Sequence, residues 1–151
     1  MRAKSAIALA EARARTNSIL DSLTDADLVE QHSLLMSPLV WDLAHIAHYE
    51  ELWLLRTLLG AEATDPRFDD VYDAFKHPRA ERPTLDLLDV ASARAFAAAV
   101  RERVLESSPA LEPDHHVGAL LADDFVYGMV ARHEHQHVET MLATLQLMAE
   151  G

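Results

Sequence analysis

Apolar residues recur along most of this chain at three- and four-residue steps, the spacing of helices with one buried face. Nowhere do they alternate in the two-residue rhythm of a strand. Residues Lys4 to Leu23, rich in Ala, Leu, Arg and Glu, predict a first helix. Thr24 has N-cap chemistry and predicts a short helix to Gln31, followed by a loop over His32 to Met36. Ser37-Pro38 reads as an N-cap followed by proline at the first helical position. The helix it opens is predicted from Pro38 to Leu59 and stops at Gly60. Trp41, His45, His48, Leu52, Leu55 and Leu59 form its expected inward stripe. From Ala61 to Pro83 the pattern dissolves, and Asp65-Pro66, His77-Pro78 and Arg82-Pro83 break helices. Thr84 is the expected cap of a helix over Leu85 to Glu106, and Ser107 to Gly118 is a second connection. A last helix, Ala119 to Ala149, places Phe125, Met129, His133, Gln136, His137, Met141 and Thr144 near one face. Four long helices with two long crossover loops predict an all-α four-helix bundle, an architecture that builds metal sites from facing helices.

Composition narrows the partners. The 151 residues are the size of one domain, and 50% hydrophobic content is enough for a real core. A net charge of −12 argues against nucleic acid or an anionic membrane. There is no cysteine, so this chain offers no disulfide framework, thiolate nucleophile or sulfur-rich zinc site. The first residues lack the continuous apolar core of a signal peptide, and no stretch of eighteen apolar residues occurs, so a cytoplasmic location is expected.

The candidate chemistry lies in His133-Glu134-His135-Gln136-His137. At about 100° per residue, His133 and His137 stand about 40° apart on one helix face, one turn above each other, and His135 points about 200° away. Two imidazoles so placed can chelate one ion, and a third histidine from another helix leaves open coordination positions. His45 and His48 both qualify as that third ligand, and spacing does not choose between them. The same residues fit H-E-x-x-H, with Glu134 as the base of a zinc protease. That reading needs another ligand, and only Glu139, off the face, and Glu150, at the helix end, follow His137. Imidazole suits iron, zinc, nickel and copper alike.

These residues carry a resemblance. Ser37 to Ile46 (SPLVWDLAHI), Glu50-Glu51-Leu52-Trp53, Tyr72-Asp73-Ala74-Phe75, Arg79 to Leu85 (RAERPTL), Phe125 to Met129 (FVYGM) and His133 to Leu142 (HEHQHVETML) fall in order. Together they resemble the N-terminal, DinB-like four-helix domain of the ergothioneine-biosynthesis sulfoxide synthases, the EgtB family. The resemblance implies that His45, His133 and His137 ligate a mononuclear non-haem iron(II). It implies that Gln136 faces hercynine, and that Arg79 and Arg82 meet the carboxylates of the thiol substrate, γ-glutamylcysteine or cysteine. The implied reaction is O2-dependent C–S bond formation to a sulfoxide. Family members carry a second domain, similar to the formylglycine-generating enzymes, which supplies further contacts and which residues 1–151 do not include. An incomplete synthase is therefore expected, with that missing domain as a possible partner. The alternatives are a stand-alone DinB-like metal-dependent thiol transferase or hydrolase, with zinc or nickel in place of iron, and a non-catalytic docking module.

Overall fold

The computed structural model describes residues 1–108 and 117–150. Seven α-helices occur among them, and no strand: α1 (Ala3–Asp21), α2 (Asp25–Val29), α3 (Leu39–Glu50), α4 (Phe68–Val71), α5 (Val90–Ser107), α6 (Gly118–Leu121) and α7 (Phe125–Glu150). The all-α bundle expected from the periodicity is the fold observed. α1 packs along α7, and α3 packs against both α5 and α7. Leu9, Leu20, Trp41, Leu43, Ile46, Leu54, Val100, Val126, Val138 and Met141 lie in one buried core.

The helix boundaries follow local chemistry. Thr24 accepts from the Asp27 amide while Asp27 accepts from the Thr24 amide, a complete capping box. The next helix begins one residue later than expected: Pro38, with ψ at 140°, is the cap, and Leu39 is the first helical residue. Beyond Glu50, α3 continues as a π-helix over Glu51–Thr57. Its wider turn shifts the buried side to Leu54, Leu55 and Leu58, so Leu59, expected inside, is 41% exposed. Gly60 ends the helix at φ 68°, where glycine carries no Cβ penalty, and its amide reaches the Arg56 carbonyl.

Three other expectations are corrected. The long connection contains α4 and a 3₁₀ turn over Arg79–Thr84, which holds Pro83. Asp89, not Thr84, caps α5, which starts at Val90 instead of Leu85. α7 starts at Phe125 instead of Ala119, because Asp123 and Asp124 take left-handed backbone at φ 51° and 56° and break the helix. Asp124 there accepts from the Arg2 amide and the Ser5 hydroxyl, tying the start of α1 to the start of α7. Part of the expected Ser107–Gly118 loop lies outside the described residues.

The core also holds charge. Glu134 of α7 accepts from Arg13 of α1 at 2.9 and 3.2 Å, and Glu50 of α3 accepts from Arg13 and from Arg101 of α5 at 3.3 and 2.8 Å. Both carboxylates are nearly fully buried. Two arginines and two glutamates balance, so four helices meet in a neutral polar knot.

Candidate metal centre

His45 reaches the centre from α3, and His133 and His137 from α7. One ligand nitrogen from each lies within 4.8 Å of the others. Each ring is held differently. His45 Nδ1 lies 2.7 Å from the Tyr72 carbonyl oxygen, which can only accept, so that nitrogen carries the hydrogen and Nε2 presents its lone pair inward. The ring also stacks on Trp41, with centroids 4.6 Å apart and planes 11° from parallel. His137 Nδ1 donates to Asp42 Oδ1 at 2.9 Å, which likewise leaves Nε2 for a ligand. His133 Nε2 faces His45 Nε2 at 3.1 Å, and its ring stacks on Tyr49 with centroids 3.6 Å apart.

The electrostatics suit ligation. Burial, reinforced by the neighbouring His137, lowers His45 from its ordinary value to about 3. Burial, then His137 and His45, lowers His133 to about 2. Both are neutral donors near pH 7, as metal binding requires. Asp42 is 1% exposed, and its Oδ2 has no hydrogen-bond partner among the described residues. A divalent cation one imidazole away would compensate that buried charge. The donor set and this orphaned oxygen fit a borderline transition ion with open positions.

His48 and His135 have separate partners. His48, the competing candidate, bonds Asp69 Oδ1 at 2.8 Å, and Asp69 also accepts from Arg56. His135 meets Arg15 Nη1 at 2.8 Å. Glu134 is turned into the polar knot, where burial raises its carboxyl against the pull of Arg13. It therefore does not face the histidine cluster as a protease base would.

A cavity of about 620 Å³ opens onto the three histidines. Its walls include Tyr49, Trp53, Tyr72 and Phe75, with Asp69 and Asp73, and no Lys or Arg among the described residues. Gln136 is exposed on α7. Arg79 is exposed and donates to the Leu35 carbonyl. Arg82 is 6% exposed, with its guanidinium carbon 3.8 Å from the Trp41 ring centroid. It donates to Ser37 Oγ, the His77 carbonyl and the Ala74 carbonyl, three of the five N–H groups a guanidinium carries. Burial lowers it from its ordinary value, and the charge of Asp42 opposes that shift. Neither arginine lines the cavity.

Sequence reasoning named the three histidines but passed over Asp42, Tyr49 and the Tyr72 carbonyl. Asp42 and Tyr49 stand three residues before and four after His45, on its own face, and that spacing is the signal that could have found them. The Tyr72 carbonyl lies in a loop and has no such signal.

An all-helical bundle with a histidine cluster between facing helices defines the class, and a family profile of the DinB superfamily matches residues 8–141. The chain belongs to that superfamily. Among curated proteins it is similar to three named hercynine oxygenase. The protein from Mycolicibacterium thermoresistibile is 49% identical over 97% of this chain and 31% of its own length. Those from Mycobacterium tuberculosis and Mycolicibacterium smegmatis are 48% and 46% identical, each over 92% of this chain and 31% of their own length. The chain thus spans about a third of the curated relatives it matches. Among the described residues, no helix is long and apolar enough to cross a membrane.

Proposed function

We propose that this chain is the metal-holding part of a non-haem iron(II), O2-dependent sulfoxide synthase of ergothioneine biosynthesis. In this reading the synthase joins hercynine to the thiol of γ-glutamylcysteine or cysteine in the cytoplasm. The observation that carries the reading is the convergence of the His45, His133 and His137 ring nitrogens within 4.8 Å, in a chain about half identical to proteins named hercynine oxygenase. The remaining length of those relatives is where we place the formylglycine-generating-enzyme-like domain that completes the site.

Iron, when bound, would act as a Lewis acid and redox centre that holds thiol and imidazole side by side. The rest of the work belongs to side chains. His45, His133 and His137 supply neutral nitrogens from two helices and leave the cavity side open. Tyr49, Trp53 and Phe75 give that side apolar walls. Gln136, Arg79 and Arg82 stand outside the cavity lining; the family resemblance alone assigns Gln136 to hercynine and the two arginines to the thiol substrate's carboxylates, which guanidinium groups suit through paired hydrogen bonds.

The test is an anaerobic titration of the purified chain with iron(II), with and without hercynine, followed by optical and paramagnetic spectroscopy. One ion per chain, with a spectrum that hercynine shifts, is expected. One ion that ignores hercynine would favour a metalloenzyme acting on another substrate. No bound ion would overturn the metal reading.

A further inference from the structure

The three candidate ligands are supported unequally. His45 is fixed by a backbone carbonyl and an indole face. His133 makes no hydrogen bond from Nδ1 among the described residues and rests on the Tyr49 ring. His137 alone is held by a carboxylate, and that carboxylate is buried on α3, three residues before His45. Asp42 spends one oxygen on His137 Nδ1–H and leaves the other without a hydrogen-bond partner among the described residues. Burying a carboxylate with one oxygen unbonded is costly, and the charge of buried Arg82 nearby offsets only part of that cost. A carboxylate behind an imidazole fixes the ring tautomer, aims the far nitrogen and raises its donor strength toward a metal.

Resting on the metal reading above, we infer that Asp42 is a positioning residue for the metal centre. It holds His137 with Nε2 free, makes that ring the strongest of the three donors, and supplies the buried negative charge that three neutral imidazoles lack. Buried Arg82 already offsets part of that charge, and a bound cation would offset more of it. Tyr49 gives His133 orientation without charge, so His133 is the weakest of the three donors.

The experiment uses cobalt(II) as the probe, with the full chain, Asp42→Asn and Asp42→Ala. Affinity is read by competition with a chelating dye, and the ligand-field absorption band is recorded in parallel. Asp42→Ala is expected to weaken cobalt binding roughly 10–100-fold and to shift the band. Asp42→Asn keeps an acceptor for Nδ1–H but no charge, and falls between that variant and the unaltered chain. An affinity for Asp42→Ala within about twofold of the unaltered chain, with an unmoved band, would overturn the assignment, since a residue that only packs changes stability and not ligand field. A second measurement needs no variant: long-range nitrogen-15 correlation spectra of the metal-free chain should show the His137 hydrogen on Nδ1. A hydrogen on Nε2 would overturn the inference even if both variants fail to fold. Failure of the unaltered chain to take up cobalt would instead overturn the metal reading itself.

Discussion

At the scale of single residues, neighbours in sequence have opposite tasks. His133 turns its ring to the histidine cluster, Glu134 is sealed in the polar knot, and His135 reaches Arg15. Substitution should separate them. His45→Ala, His133→Ala and His137→Ala are each expected to abolish one-to-one metal uptake, measured by elemental analysis after desalting. His135→Ala and His48→Ala should keep it, because both rings are engaged elsewhere. Metal lost from His48→Ala and retained by His45→Ala would reverse the assignment of the α3 ligand. The spacing of His133 and His137 was legible from helical geometry alone, since both belong to one element. Choosing His45 over His48 on residue grounds required knowing where Asp69 lies, and Asp69 belongs to α4, inside a stretch that shows no helical periodicity.

At the scale of elements, patterning identified the four long helices but misjudged some ends and faces. The face of α7 was drawn through Phe125 and Gln136, yet Phe125 is 51% exposed and Gln136 lies outside. The buried side instead runs through Val126, Val130, Glu134, Val138 and Met141. Glu134 is what turns that face inward, and its partner Arg13 lies far away in sequence, where periodicity along α7 does not reach it. The π-helical end of α3 was hidden for a different reason: a 3.6-residue repeat cannot anticipate a wider turn. The polar knot makes a strong prediction. Glu50→Ala would leave two buried guanidiniums to share one carboxylate, Glu134, and breaking such a buried pair costs about 3–5 kcal/mol. Urea denaturation followed by circular dichroism measures this, and a loss under about 1 kcal/mol would show that the knot contributes little beyond surface pairs.

At the scale of the whole molecule, stability should respond to both metal and acid. An ion that binds only the folded chain stabilises it by about 2.7 kcal/mol at a hundred times its dissociation constant. Melting curves with and without a chelator should therefore differ for the unaltered chain and coincide for His133→Ala. Asp69, tying α4 to α3, is held down to about 2 chiefly by its hydrogen bond from Arg56, helped by His48. A depressed carboxyl stabilises the fold above its unfolded value and loses that contribution as pH falls toward its folded value. The window is thus about pH 4 down to 2. Because Asp69 is 44% exposed, the effect is screened to about 1 kcal/mol or less. Asp69→Asn should flatten the fall in melting temperature across that window, and an unchanged slope would remove the pair from the acid response.

Arg13 grips Glu134 and Glu50 at once, from a helix that contributes no histidine. Each of those glutamates sits on a ligand-bearing helix, one residue from His133 and five from His45. Arg13 on α1, with Arg101 on α5, therefore acts as a calliper across α3 and α7, alongside the direct packing of those two helices. An ion too large or too small for the gap between them must be met by swinging imidazoles rather than by sliding helices. On the metal reading proposed above, the spacing of the two histidine-bearing helices is thus held in part by side chains that never touch the ion.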